Sequence, residues 1–393
     1  MSIFQTESTL LITCAPDIKE ITEKEIIRLG YTILQSSPSG IQVKGTGTDG
    51  MRLCMYLRTA SKVLYLVGSG QANNPDEMYK VVSGIEWDKY FTVQSYFSIE
   101  SYVQNDTIKD SRFANQKCKD GIVDYFNKLT GKRPNTGGDK DKAVLFLFWK
   151  QSEVAIYLDL SGEPITKHGY RIHPWKAPMI ETLAAAVIMS TKWDQVSHFI
   201  NPMCGSGTLA IEAALIASGK PNGHIRRNYG FMHIKGFEIR NWYEMKDQAL
   251  KYMIPRLPFS ILASDISEEA IQAAKENAKK AGVENLIEFS VQDFRQVAVP
   301  RPRGNGGIII MNPEYGERLG EEEKLMEIYK EIGDFFKKKG TGYTGYVFTG
   351  NMELAKNIGL RTSKKIVFHN ARIECRLLEF ELYEGKKVVK VRE

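Results

Sequence analysis

The stretch that most constrains this chain is HFINPMCGSGTLAIEAALIA, His198 to Ala217. A short apolar run, Phe199-Ile200, enters a turn carrying Gly205 and Gly207, and an apolar helical pattern begins at Thr208. Strand, glycine turn and helix in that order open a parallel α/β sheet of the Rossmann type, in which backbone N–H groups at the helix start face a ligand. Gly205 and Gly207 are expected where the backbone approaches a cofactor too closely for a side chain. GSGTLA also satisfies the dinucleotide fingerprint G-x-G-x-x-G/A, so alone it does not separate a nicotinamide or flavin from another nucleotide.

A second stretch narrows the choice. Gly306–Gly320 reads GGIIIMNPEYGERLG, a continuous apolar strand from Ile308 to Met311 running into Asn312-Pro313-Glu314-Tyr315. The pair NPMCGSGT and NPEYGERLG resembles class I S-adenosylmethionine-dependent methyltransferases that modify exocyclic amines of bases. More narrowly it resembles RNA guanine-N2 methyltransferases with an N-terminal THUMP domain, as in the N-terminal methyltransferase half of the bacterial bifunctional large-subunit rRNA methyltransferase. DLSGEPITKHGYR (Asp159–Arg171), APMIETLAAA (Ala177–Ala186) and IECRLLEF (Ile373–Phe380) fit the same family. The likeness is strong from about Asp159 onward and before that rests mostly on domain order. One departure stands out: the family usually has a second proline where this chain has Glu314.

The resemblance implies an α/β fold: a Rossmann-like class I methyltransferase domain over residues 164–393, preceded by an α+β ferredoxin-like unit (1–70) and a THUMP domain (71–163). The residues give a compatible outline. Thr9–Ala15 reads as a strand, Lys19–Gly30 as a helix ended by its glycine, and Tyr31–Lys44 as two strands around a Ser/Pro/Gly turn. Gly50–Val67 reads as beginning with a second helix, and Gln71–Asp76 (QANNPD) as a linker. Beyond it come a strand at Tyr96–Val103, a helix at Asp110–Leu129, a glycine-rich loop, and strands at Ala143–Trp149 and Val154–Leu160. An insertion, Lys220–Arg256, is rich in aromatics read as a local packing cluster.

At 393 residues the chain has room for two or three domains. The five cysteines are scattered without a C-x-x-C or a Cys/His cluster, which argues against a disulfide framework and a metal site. The start carries no basic leader and no apolar run spans a bilayer, so a cytoplasmic location without membrane contact is the expectation. The net charge of +6 is compatible with a nucleic-acid partner. Residues 1–160 hold 19 basic and 19 acidic side chains, so the excess lies behind them and an RNA-binding front rests on the resemblance alone.

Ligands of open α/β sheets lie across the C-terminal strand ends. The candidate cofactor residues there are Asn201, Pro202, Cys204, Gly205, Gly207, Asp265 and Asp293. Asp265 is placed to accept from ribose hydroxyls, which would serve a dinucleotide equally well. The resemblance implies that Asp293 accepts from the adenine amino group of S-adenosylmethionine; a plain turn aspartate is the alternative. Asn312, Pro313 and Tyr315 are the candidate catalytic residues. The Asn312 side-chain oxygen and the Pro313 carbonyl can hold the two hydrogens of an exocyclic amine, aiming its lone pair at the methyl group, while Tyr315 stacks on the base. Glu314 is a candidate reader of guanine, whose N1–H and N2–H a carboxylate accepts; pairing with Arg318 or solvent is the alternative. Lys167, Arg171, Lys117 and Lys119 are candidate RNA contacts. Lys109 and TKHGYRIHPWK (Thr166–Lys176), where cations alternate with rings, belong with them, although the latter reads equally as a packed hinge.

The expected activity is therefore methylation of guanosine N2 in large-subunit rRNA, with tRNA second. The alternatives are an adenine-N6 methylase, an NAD-dependent oxidoreductase and a non-catalytic RNA-binding protein.

Overall fold

The computed structural model describes residues 2–108, 110–174, 179–315 and 322–383 of the chain. Two compact units emerge: Met1–Thr166 with Asn222–Ala249, and Lys167–Pro221 with Leu250–Glu393.

The front unit is a mixed sheet with helices packed on it. Its elements are β1 (Ser8–Thr13), α1 (Lys19–Arg28), β2 (Ile33–Ser37), β3 (Gly40–Gly45), α2 (Gly47–Tyr56), β4 (Lys62–Gln71), α3 (Pro75–Ser83), β5 (Tyr96–Gln104), α4 (Ser111–Thr130), β6 (Asn135–Thr136), β7 (Ala143–Lys150) and β8 (Glu153–Asp159). They form one eight-stranded sheet in the order β2-β3-β1-β4-β8-β7-β5-β6. β4 pairs antiparallel with β1 on one side and β8 on the other, so the two front folds share a sheet.

Two sequence expectations are corrected here. The helix begun near Gly50 stops at Tyr56, and Lys62–Gln71 is a strand. The cause is the buried Glu25 carboxylate, which accepts from the Arg58 and Thr59 N–H groups and the Thr59 hydroxyl and so pulls the chain out of helix. Gln71–Asp76 is not a slack linker. Trp149 donates its indole N–H to the Ala72 carbonyl at 3.0 Å, and Asn74 caps α3 ahead of Pro75.

The second unit holds α5 (Glu181–Met189), β9 (Phe199–Pro202) and α6 (Thr208–Ala217). The chain then returns to the front unit: after α6, residues 222–249 join the front core, ending within α7 (Ile239–Lys251). Tyr229, Phe231 and Trp242 are fully buried there, with ring centroids 4.9–5.3 Å apart. Phe231 N–H donates to the Leu160 carbonyl at 3.0 Å, and Gly230 is needed because a Cβ would sit 2.0 Å from the Asp159 carbonyl oxygen. Tyr229, Phe231, Phe237 and Trp242 therefore pack, as expected, but into the front unit rather than within the 164–393 segment, whereas Tyr243 and Tyr252 are exposed.

The second unit continues with β10 (Ile261–Asp265), α8 (Glu268–Ala281), β11 (Ile287–Val291), β12 (Ile308–Met311), α9 (Glu322–Lys339), β13 (Thr344–Thr349), α10 (Met352–Lys356), β14 (Lys364–Asn370) and β15 (Ile373–Glu381). Its seven strands run β11-β10-β9-β12-β13-β15-β14. β9 to β13 are parallel, and β15 is antiparallel to β13 and β14. The winding reverses between β9 and β12, which makes the C-terminal ends of those two strands the crevice of the sheet.

Candidate active site

Parallel pairing sets four candidate segments on one edge of this sheet: Asn201 to Gly207 at and beyond the end of β9, Asp265 at the end of β10, Asp293 past β11, and Asn312–Tyr315 past β12. β9 and β12 pair only through Phe199/Ile308 and Ile200/Ile309 and then part. Where they part, the fully buried Asn201 side chain donates to the Ile310 carbonyl at 2.9 Å. Its Oδ1 is buried without a hydrogen-bond partner among the described residues.

Beyond Pro202 the chain swings towards β10. The Met203 and Cys204 N–H groups both donate to the Ser264 carbonyl, at 2.8 and 2.9 Å. Met203 takes φ +86°, a left-handed conformation costly for a side-chain-bearing residue and unannounced by the sequence. The Gly205 N–H donates to Asp265 Oδ2 at 2.9 Å, and Ser267 N–H donates to Oδ1 at 3.0 Å. Asp265 thus braces the turn while each oxygen keeps a lone pair. Burial pushes the Cys204 thiol up, so it stays neutral.

A contact within the fold already requires glycine at 207. Its φ is +83°, and a Cβ there would lie 2.9 Å from the Ala274 Cβ on α8. Helix packing excludes the side chain. Among the described residues no side chain caps α6, whose first turn (Thr208, Leu209, Ala210) is buried. Three first-turn N–H groups without intrahelical partners are thereby left for an anion.

Asp293 accepts from the Arg295 backbone N–H at 2.9 Å and from its guanidinium at 2.8 Å. The guanidinium hydrogen bond holds its carboxyl below the usual carboxylate range. Past β12, Tyr315 donates its hydroxyl to Asn312 Oδ1 at 2.6 Å, and its ring lies tilted on Phe348, 6.5 Å between centroids. Tyr329 donates to the Glu314 carbonyl at 3.3 Å, and Asn351 to the Tyr315 carbonyl at 3.1 Å. Pro313 is buried and Glu314 exposed. Arg318 and the rest of GERLG fall outside the described residues.

The expected RNA contacts are only partly placed as read. Arg171 is a correction: its side chain is 14% exposed, and it donates to the Met179 carbonyl at 2.6 Å and Thr208 Oγ1 at 3.2 Å beside Glu181. His168 and Tyr170 are buried as well, His168 paired with the buried Glu212 at 2.7 Å, so these two rings pack, whereas the His173 side chain is exposed. Lys167 is exposed; Trp175, Lys176 and Lys109 lie outside the described residues. Lys117 pairs with Asp76 at 2.9 Å, and Lys119, two residues along α4, faces another direction. Arg226 donates to the carbonyls of Ser161, Glu163, Pro164 and Asn228.

Three residues escaped the sequence reading. Tyr329 and Asn351 anchor the Asn312–Tyr315 loop from distant elements, without a local signal. Ile266, directly after Asp265 at the same strand end, is a bulky apolar side chain left 70% exposed; an apolar residue directly after a strand-terminal acid was its signal.

A turn closed against α8, an acid at the second strand end and an Asn-Pro-Glu-Tyr loop at the fourth define a Rossmann-like methyltransferase. The RMKL-like methyltransferase domain model matches residues 168–379, and those of the RlmL ferredoxin-like domain and the THUMP domain match 9–64 and 72–159. The chain belongs to the RMKL-like methyltransferase family. It is 35% identical over 385 residues to the ribosomal RNA large subunit methyltransferase K/L of Psychromonas ingrahamii, covering 97% of this chain and 51% of that protein. The chain spans about half the length of the curated relatives it matches. A possible methylase from Clostridium difficile 630 superposes with a TM-score of 0.85 at 29% identity, covering 98% of this chain and 100% of that one. SMU.472, solved complexed with SAH, gives 0.85 at 22% identity over 97% and 100%.

S-adenosylmethionine is the cofactor of this family, and the residues fit it. The uncapped first turn of α6 suits its carboxylate, the unpaired Asn201 Oδ1 its ammonium, and Asp265 its ribose hydroxyls. Among the described residues no group of three or more His, Cys, Asp or Glu could hold a metal ion, and no helix is long and apolar enough to cross a membrane.

Proposed function

We propose that this protein methylates the exocyclic N2 of a guanosine in large-subunit rRNA. Its correspondence within the longer relatives is to their N-terminal methyltransferase half. The observation that carries the reading is the placement of Asn312–Tyr315 at the end of β12, next to the turn that ends β9. When bound, S-adenosylmethionine supplies an electrophilic sulfonium methyl group.

The chain's own residues then have definable tasks. Asn312 Oδ1 and the Pro313 carbonyl accept the two amine hydrogens and draw the nitrogen lone pair out of the ring system. Oδ1 has two lone pairs, so it can keep the Tyr315 hydroxyl while accepting from the base. No strong general base is required, because the nitrogen becomes acidic as it is alkylated; alignment and electrostatics supply the gain. Exposed Glu314 accepts guanine N1–H, whereas adenine presents a bare acceptor there and leaves the carboxylate unpaired. Such a base must be unpaired or flipped, which favours a loop or an opened helix.

The test is nucleoside mass spectrometry of rRNA and tRNA from cells lacking the gene, before and after treatment with purified protein and S-adenosylmethionine. N2-methylguanosine restored to large-subunit rRNA is expected. N6-methyladenosine would overturn the base, and restoration only in tRNA would overturn the substrate. Glu314→Gln and Glu314→Pro should slow guanine methylation; equal rates would remove Glu314 from base reading.

A further inference from the structure

The side chain of Asn277, in the middle of α8, is 1% exposed and makes four hydrogen bonds. Its Oδ1 accepts from the N–H groups of Ile172 and His173, at 2.8 and 3.1 Å. Its Nδ2 donates to the His173 carbonyl at 3.0 Å and the Ser206 carbonyl at 3.2 Å. One amide thus ties α8 to two segments, 104 and 71 residues away in sequence. It lies one turn beyond Ala274, the residue that excludes a side chain from Gly207.

The bond to Ser206 has a particular consequence. In a planar trans peptide the C=O of residue 206 and the N–H of residue 207 point in opposite directions. Holding the Ser206 oxygen against α8 therefore aims the Gly207 N–H back into the turn, where it donates to the Cys204 carbonyl at 2.9 Å. Gly207, free of a Cβ, would otherwise tolerate reversal of this peptide. Reversal would set the Ser206 oxygen against the Cys204 carbonyl oxygen and open the turn that leads into the anion-binding amides of α6.

We propose that Asn277 is a positioning residue for the methyl donor, locking the 206–207 peptide so that the turn holds the first amides of α6 in place. This rests on the donor site proposed above. It predicts an effect on donor affinity that is separable from folding and from the methyl-transfer step.

The experiment is titration of wild type, Asn277→Ala, Asn277→Asp and Glu276→Gln with SAH in the absence of RNA, alongside thermal unfolding. Asn277→Asp keeps acceptors for Ile172 and His173 but sets a carboxylate against the Ser206 carbonyl. Both Asn277 variants should bind roughly tenfold or more weakly, with a raised KM for S-adenosylmethionine and kcat at saturating donor within about threefold. Glu276 reaches the same segment through His173, 2.6 Å away, so its variant controls for loosening 172–173 alone and should bind like wild type. In wild type, Gly207 amide exchange should be protected before any donor is added. Asn277→Asp binding SAH as tightly as wild type, or an unprotected Gly207 amide, would overturn the positioning role. Wild type failing to bind SAH would overturn the donor site itself.

Discussion

Tyr315 places its hydroxyl 2.6 Å from Asn312 Oδ1, the atom we propose holds the target amine. Burial, the leading cause, raises its pKa far above the ordinary tyrosine value near 10. The neutral form is thereby favoured, so as pH rises the hydroxyl remains a donor throughout any practical assay range and cannot act as a base. Tyr315→Phe should keep the ring but release the Asn312 amide, lowering kcat about two- to tenfold, as expected for one hydrogen bond. KM for RNA should stay within about threefold, whereas Tyr315→Ala should also raise KM by losing a stacking surface. Wild-type kcat followed from pH 7 to 9.5 should show no rising limb assignable to Tyr315. A limb present in wild type and absent in Tyr315→Phe would show that the hydroxyl titrates there.

The contact between α6 and α8 is narrow at Gly207, where a methyl group has nowhere to go. Gly207→Ala combines a left-handed φ with a 2.9 Å approach to Ala274, and should destabilise the second unit by about 1–3 kcal/mol, read as a lower denaturant midpoint. An unchanged midpoint would mean that α8 gives way easily. Features of this kind show what could be read in advance. The strand-turn-helix at His198–Ala217 and the Ser267 cap, which accepts from Ala270 N–H at 3.2 Å, are legible because their partners lie a few residues away. The glycines were legible as a turn, but Gly207 was not legible as a helix contact, because Ala274 is 67 positions distant in the chain. β4 was missed because Leu53, Leu57 and Leu64 suit a helical face, while the Glu25 contacts that end the helix span more than 30 residues. Asn277 left a faint trace, a lone amide among the alanines on the apolar side of α8.

At the scale of the whole chain, each unit is built from two separate stretches of sequence. Removing residues 1–160 alone would strip Tyr229, Phe231 and Trp242 of the core that buries them, leaving three large rings in water. That truncation should aggregate, whereas excising both 1–166 and 222–249, with a short linker joining Pro221 to Leu250, should leave a folded second unit that binds SAH. Light scattering and titration of the two proteins would check this; equal solubility would show that the returning segment contributes little to the front core. The same arrangement sets an order of events during synthesis. The front unit cannot close when its first 166 residues have left the ribosome, because Trp242 has yet to be made. By then α5, β9 and α6 have already emerged, and they in turn lack α8 and β12. The nascent chain must therefore carry two half-built cores at once, with the glycine turn emerging about 60 residues before Ser264 and Asp265, which brace it.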